Sequence, residues 1–123
     1  PHALAGGCGS HDAGARQVAR WLADHAGRDD RGVAVYGAAD DLLGSGLRLP
    51  YPYLWSLPVR TLDPHLARLR ATVTGPDRVE WVVVALPLDA WRLDASGALA
   101  RQLHTAYRPA AVVCGRAVLH RSG

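Results

Sequence analysis

The run Trp-Val-Val-Val-Ala-Leu at residues 81–86 restricts the fold of this chain more than any other feature. Its β-branched valines favour extended backbone. Its apolar residues do not alternate with polar ones, so both faces of the strand must be covered. The run is therefore expected to be a central, parallel strand, which requires neighbouring strands reached through crossover connections.

The segments around it supply candidates. Residues 32–37, GVAVYG, form a short β-branched run between glycines and fit a second buried strand. Ahead of it, Ser10 or Asp12 can cap a helix that places Ala15, Val18, Trp21, Leu22 and His25 on one face and stops at Gly27. Residues 38–43 suggest a short helix broken by Gly44 and Gly46. Pro50, Pro52 and Pro58 push the residues before them toward extended backbone, so 49–59 is not expected to be a regular helix. Asp63 as cap and Pro64 at the first helical position begin the next helix, with Leu66, Leu69 and Val73 as its stripe and Gly75-Pro76 as its stop. Asp94 or Ser96 can cap the last helix, whose inner face is Leu99, Leu103 and Ala106 or Tyr107. The end predicts a hairpin of 110–114 and 117–121 around Gly115-Arg116, where a leading glycine fits a type II′ turn.

This alternation predicts an α/β fold, a three-layer α/β/α Rossmann-like sandwich with a short, mostly parallel sheet and a C-terminal antiparallel hairpin. Residues 1–10 read as a flexible lead-in, and 11–121 as a single α/β domain. The 123 residues suffice for one core, and 49% apolar with 20% charged residues is ordinary for a globular domain. Lys, Ile, Phe, Met and Asn are absent, a bias that points to a GC-rich genome. The missing methionine and the Pro1-His2 start suggest a piece of a longer gene.

All 14 basic residues are arginine against 11 carboxylates, and they never form a run, so no basic stripe for nucleic acid is visible. The longest apolar stretch, 81–88, is far short of the ~20 residues of a spanning helix. The two cysteines, Cys8 and Cys114, are too distant for a CxxC site. Cys114 lies in a strand-like run and is expected to be a buried, inert thiol; the alternative, a Cys8–Cys114 disulfide, fits an oxidising compartment.

Chemistry is expected beyond the carboxyl ends of the strands, where Asp40-Asp41 follows the first strand and Asp89 with Trp91 the central one. Asp40 and Asp41 can hold a metal or share acid–base work, but they read more simply as first-turn acids facing a helix dipole. Neither the dinucleotide fingerprint nor the phosphate-loop lysine is present, and Gly44-Ser45-Gly46 is a turn rather than a hydrolase elbow. His2, Cys8 and His11 lack a clear fourth ligand, so no metal and no cofactor are expected. Tyr51, Tyr53 and Trp55 alternate along the proline-rich segment, with Arg60 close behind. In an extended chain they face one way, where they can stack on a sugar, dock a partner, rest at a membrane interface or pack over the sheet as core.

The run YPYLWSLPVRTLDP (51–64), the opening ending in VAVYG, the EWVVVALPLDAW stretch and the terminal YRPAAVVCGRAVLHR together resemble one family. It is the C-terminal extracytoplasmic domain of actinobacterial multi-spanning GT-C-class glycosyltransferases, related to the dolichyl-phosphate-mannose–protein mannosyltransferases. The likeness covers 11–121. It implies an accessory domain beside the membrane, joined to the transmembrane part of the same polypeptide, in an enzyme that takes sugar from a polyprenyl-phosphate carrier. The family's catalytic carboxylate lies in an early membrane loop, so no residue here inherits a catalytic role. The resemblance implies that the domain covers the membrane-embedded site, helps to hold an acceptor or binds a partner; contact with acceptor or lipid-linked sugar is then expected at Tyr51, Tyr53, Trp55, Arg60, Asp89 and Trp91. The competing expectation is a protein–protein interaction or scaffold module without sugar contact.

Overall fold

The computed structural model describes residues 8–36, 42, 44–52 and 56–122, apart from the side chains of His11, Asp12 and Ser56. Helix α1 (His11–His25) is capped by Ser10, whose Oγ accepts from the Ala13 amide at 3.1 Å. It is followed by β1 (Gly32–Ala34), α2 (Ser56–Leu62), α3 (Ala67–Thr72), β2 (Trp81–Val84), a 3₁₀ turn (Ala90–Arg92), α4 (Ala98–Ala106), β3 (Tyr107–Val113) and β4 (Arg116–Arg121).

The sheet order is β1-β2-β4-β3, and only β1 and β2 pair in parallel. The expected Rossmann-like, mostly parallel three-layer sandwich is therefore not what forms. The chain builds a small mixed sheet of four strands with four short helices among the described residues. The reason lies in β2. Apolar residues on both of its faces demand cover above and below, but they do not specify the direction of its neighbours. The seven- and six-residue strands of the hairpin supply β4 beside β2, whereas β1 contributes three residues.

Alternation along the strands divides the core. Val33 and Val82 face Leu69, Leu99 and Leu103 from α3 and α4, together with Val59 and Val73. Ala34, Trp81, Val83 and Val118 face the other way, onto Val18 and Leu22 of α1. On that side the Trp81 indole donates to Asp30 at 2.9 Å and lies against Trp21 and His120.

Four local expectations change. Residues 56–62 are helical despite Pro58, which sits in the first turn, where its missing N–H has no intrahelical bond to make. Helix α3 starts at Ala67 rather than Pro64. Pro64-His65 form a turn, Leu66 adopts φ 58°, and the Asp63 carboxylate accepts from the Arg68 and Leu69 amides at 3.0 Å each. The hairpin turns at Cys114-Gly115, with φ 51° and 80°, so it is a type I′ turn whose twist suits the two strands. Cys114 is not a free thiol: it pairs with Cys8 across a Cα separation of 5.4 Å, tying the residues before α1 to the hairpin turn.

The amino end of β2 is held by charge. Glu80 accepts from the Arg31 amide at 2.8 Å and pairs with the guanidiniums of Arg31 and Arg121 at 3.4 Å. Burial pushes its carboxyl up, but the amide and guanidinium of Arg31 outweigh that and hold it below the usual glutamate value. Nearby, the Tyr107 hydroxyl donates to the Val79 carbonyl at 2.6 Å, and burial pushes its pKa up to about 12.

Candidate functional site

At the opposite end of the parallel pair, the loop after β2 carries three non-glycine residues in left-handed backbone within four positions: Trp91 (φ 52°), Arg92 (φ 59°) and Asp94 (φ 55°). Such conformations cost about 1–3 kcal/mol each and persist only where the surroundings hold them. The anchors are identifiable. The Tyr36 hydroxyl, at the end of β1, donates to the Leu88 carbonyl. Leu93 is buried, and Asp94 accepts from the Leu99 amide at 2.7 Å and the Ala100 amide at 3.0 Å, capping α4. Between them the backbone bonds Arg92 to Asp89 and Leu93 to Ala90, both at 3.0 Å.

This clamping leaves Trp91 projecting, 45% exposed, with the Arg60 guanidinium of α2 5.4 Å from its ring centroid. That distance is within cation–π range. Asp89 is exposed two positions before Trp91. Burial raises the Tyr36 hydroxyl well above the usual tyrosine range, and the charges of Asp94 and Asp89 raise it further. The phenol thus stays a donor to Leu88 and keeps the loops after β1 and β2 together.

The structure brings together Arg60 and Trp91, and Asp89 lies two positions before Trp91 in the same loop. Tyr51 is placed elsewhere: it is 2% exposed, and its hydroxyl donates to Asp63 at 2.7 Å. Tyr53 and Trp55, like Asp40 and Asp41, lie outside the described residues. Sequence reasoning missed the anchoring role of Tyr36 and read Asp63 only as a helix cap, without its Tyr51 partner. A tyrosine closing a buried strand and an aspartate before Pro64 were visible, but their partners Leu88 and Tyr51 are distant in the chain.

Chemically the surface offers a flat indole face, a guanidinium and a carboxylate. Cys8 is committed to its disulfide, and among the described residues no group of three or more histidine, cysteine or carboxylate side chains is placed to hold a metal ion. No described helix is long and apolar enough to cross a membrane. Fold and site together define a small mixed-sheet domain with an aromatic–cation pair on the loop after its central strand. No family model, curated protein or solved structure matches the chain.

Proposed function

We propose that the chain is a non-catalytic accessory domain on the extracytoplasmic side of a membrane, where it serves a multi-spanning glycosyltransferase that uses a polyprenyl-phosphate-linked sugar. In this reading the Trp91 surface helps to hold acceptor or carrier glycan beside the membrane-embedded part of the same polypeptide. The observation that carries it is the exposed Trp91 ring, fixed in left-handed backbone under the Arg60 guanidinium. An indole face stacks on the C–H face of a sugar while guanidinium and carboxylate bond its hydroxyls. The Cys8–Cys114 disulfide supports an oxidising compartment. The resemblance of residues 11–121 to the glycosyltransferase domains supports the parent enzyme.

NMR titration of the labelled chain with manno-oligosaccharides tests the contact. Shifts confined to the Trp91 indole, the Arg60 side chain and the Asp89 amide are expected, with loss of those shifts in Trp91→Ala. Normal glycosyl transfer by a parent enzyme carrying Trp91→Ala, Arg60→Ala and Asp89→Ala would overturn it. The second reading, a docking module without sugar contact, is favoured by apolar exposure at Leu57 (57%), Leu62 (67%) and Leu86 (37%). Leu57 lies one helical turn from Arg60. Silence toward oligosaccharides favours this reading.

A further inference from the structure

A second region of the surface gathers three arginines around one cavity with no carboxylate among its described lining residues. Arg70 of α3, Arg78 in the α3–β2 connection and Arg101 of α4 line a cavity of about 380 Å³ together with Thr74, Gln102 and Thr105. That volume is within the ~300–1,000 Å³ range of small-molecule sites.

Neutral oxygens hold all three guanidiniums. Arg70 Nε donates to Gln102 Oε1 at 3.2 Å. Arg78 donates to the Gly75 carbonyl at 3.1 Å and the Ser122 carbonyl at 2.6 Å. Arg101 donates to the Ser96 carbonyl at 2.9 Å. No carboxylate is among the described residues that line the cavity, and the ion pairs of Glu80 and Asp29 go to Arg31, Arg121 and Arg48 rather than to these three arginines. Glu80, two positions from Arg78, is taken by Arg31 and Arg121. Arg78 Nε is buried and has no hydrogen-bond partner among the described residues.

The neighbouring cavity extends the same pattern, since it shares Arg70 and adds Arg92 and His65. Among its described lining residues the carboxylate is Asp94, whose two oxygens accept two amides of α4, and its single negative charge leaves the arginines in excess. Like charges oriented by neutral acceptors repel one another until an anion enters. Guanidiniums match phosphate oxygens in fixed, bidentate geometry. The Gln102 carbonyl is used by Arg70, which leaves its amide nitrogen to donate.

We propose that the Arg70–Arg78–Arg101 cavity binds a phosphate or diphosphate group, carried by a soluble ester or by a membrane headgroup. The site is separate from the Trp91 surface: neither Arg60, Asp89 nor Trp91 lines it. Either proposal can therefore fail without the other.

The test uses the whole chain, isotope-labelled, and inorganic pyrophosphate as the probe. Saturable shifts are expected at the side chains of Arg70, Arg78 and Arg101 and at the Thr74 and Thr105 amides. Arg101→Gln, at an exposed position, should weaken binding about tenfold or more while the spectrum keeps its dispersion. Arg108→Gln, exposed and outside the cavity, should leave affinity within about twofold and reports diffuse net charge. Sedimentation with phosphatidylglycerol vesicles separates the sources. Vesicle binding that pyrophosphate displaces and Arg101→Gln abolishes assigns the phosphate to a headgroup. Pyrophosphate saturation without vesicle binding assigns it to a soluble ester. No saturable shift by about 10 mM pyrophosphate, or equal weakening by Arg108→Gln, overturns the proposal.

Discussion

Replacing Asp63 by alanine removes one carboxylate that holds two parts of the chain at once. Asp63 is 6% exposed and accepts from the Arg68 amide, the Leu69 amide and the Tyr51 hydroxyl. The Arg68 amide belongs to an exposed residue and can turn to water, whereas Leu69 and Tyr51 are buried. Two buried donors thus lose a charged acceptor, each worth about 1.5–3 kcal/mol. Partial repacking around the smaller side chain reduces the sum, giving a loss of about 3–4 kcal/mol. For 123 residues, an unfolding entropy of about 0.26 kcal/mol/K makes that a fall in Tm of about 12–16 °C. Tyr51→Phe removes one of the three donors and leaves the carboxylate bonded to both amides, so its cost should be about 1–2 kcal/mol. Thermal and urea unfolding followed by circular dichroism, with the disulfide intact in every variant, measures both. A fall below about 3 °C for Asp63→Ala, or a larger loss for Tyr51→Phe than for Asp63→Ala, would refute the idea that this carboxylate organises the start of α3.

Further perturbations probe the rest of the fold. The Glu80 carboxyl is lower in the folded chain than in the unfolded one, so its contribution is complete above the ordinary glutamate value and is lost as pH falls through the lowered one. Urea midpoints measured down to about pH 3 should show a fall that Glu80→Gln flattens. Tyr107 has the opposite sign: its contribution is complete below the ordinary tyrosine value and disappears as pH rises toward about 12. Phenolate absorbance should show a tyrosine titrating near about 12 that Tyr107→Phe removes, while Tyr36, raised further, titrates later still in both proteins. Reducing Cys8–Cys114 opens a constraint spanning 106 residues and should lower stability by about 4 kcal/mol, read as a drop in the urea midpoint with dithiothreitol. A Cys8→Ser/Cys114→Ser variant should lose a similar amount and become insensitive to the reductant.

Elements whose signal is local were legible in the chain. Ser10 marks the start of α1, and valines 82–84 mark a strand that does lie inside the sheet, because capping and β-branching act within a few residues. The aromatic row is legible by spacing alone. That reading groups Tyr51 with Tyr53 and Trp55, whereas the Tyr51 hydroxyl is drawn inward by Asp63, twelve residues away. Arg60 and Trp91 meet although 31 positions separate them, and the three cavity arginines come from three separate segments.

What the amino-acid order determined here was burial: which residues must leave water, and where short elements begin and end. Strand direction was a tertiary decision. An all-apolar strand is equally well covered by a parallel or an antiparallel neighbour, and the long hairpin took the place beside β2. The state of the cysteines was decided in the same way, because the type I′ turn carries Cys114 to Cys8. The gathering of Arg70, Arg78 and Arg101 around one cavity also required the finished packing of α3 and α4, since charge proximity is a property of folded space and not of sequence distance.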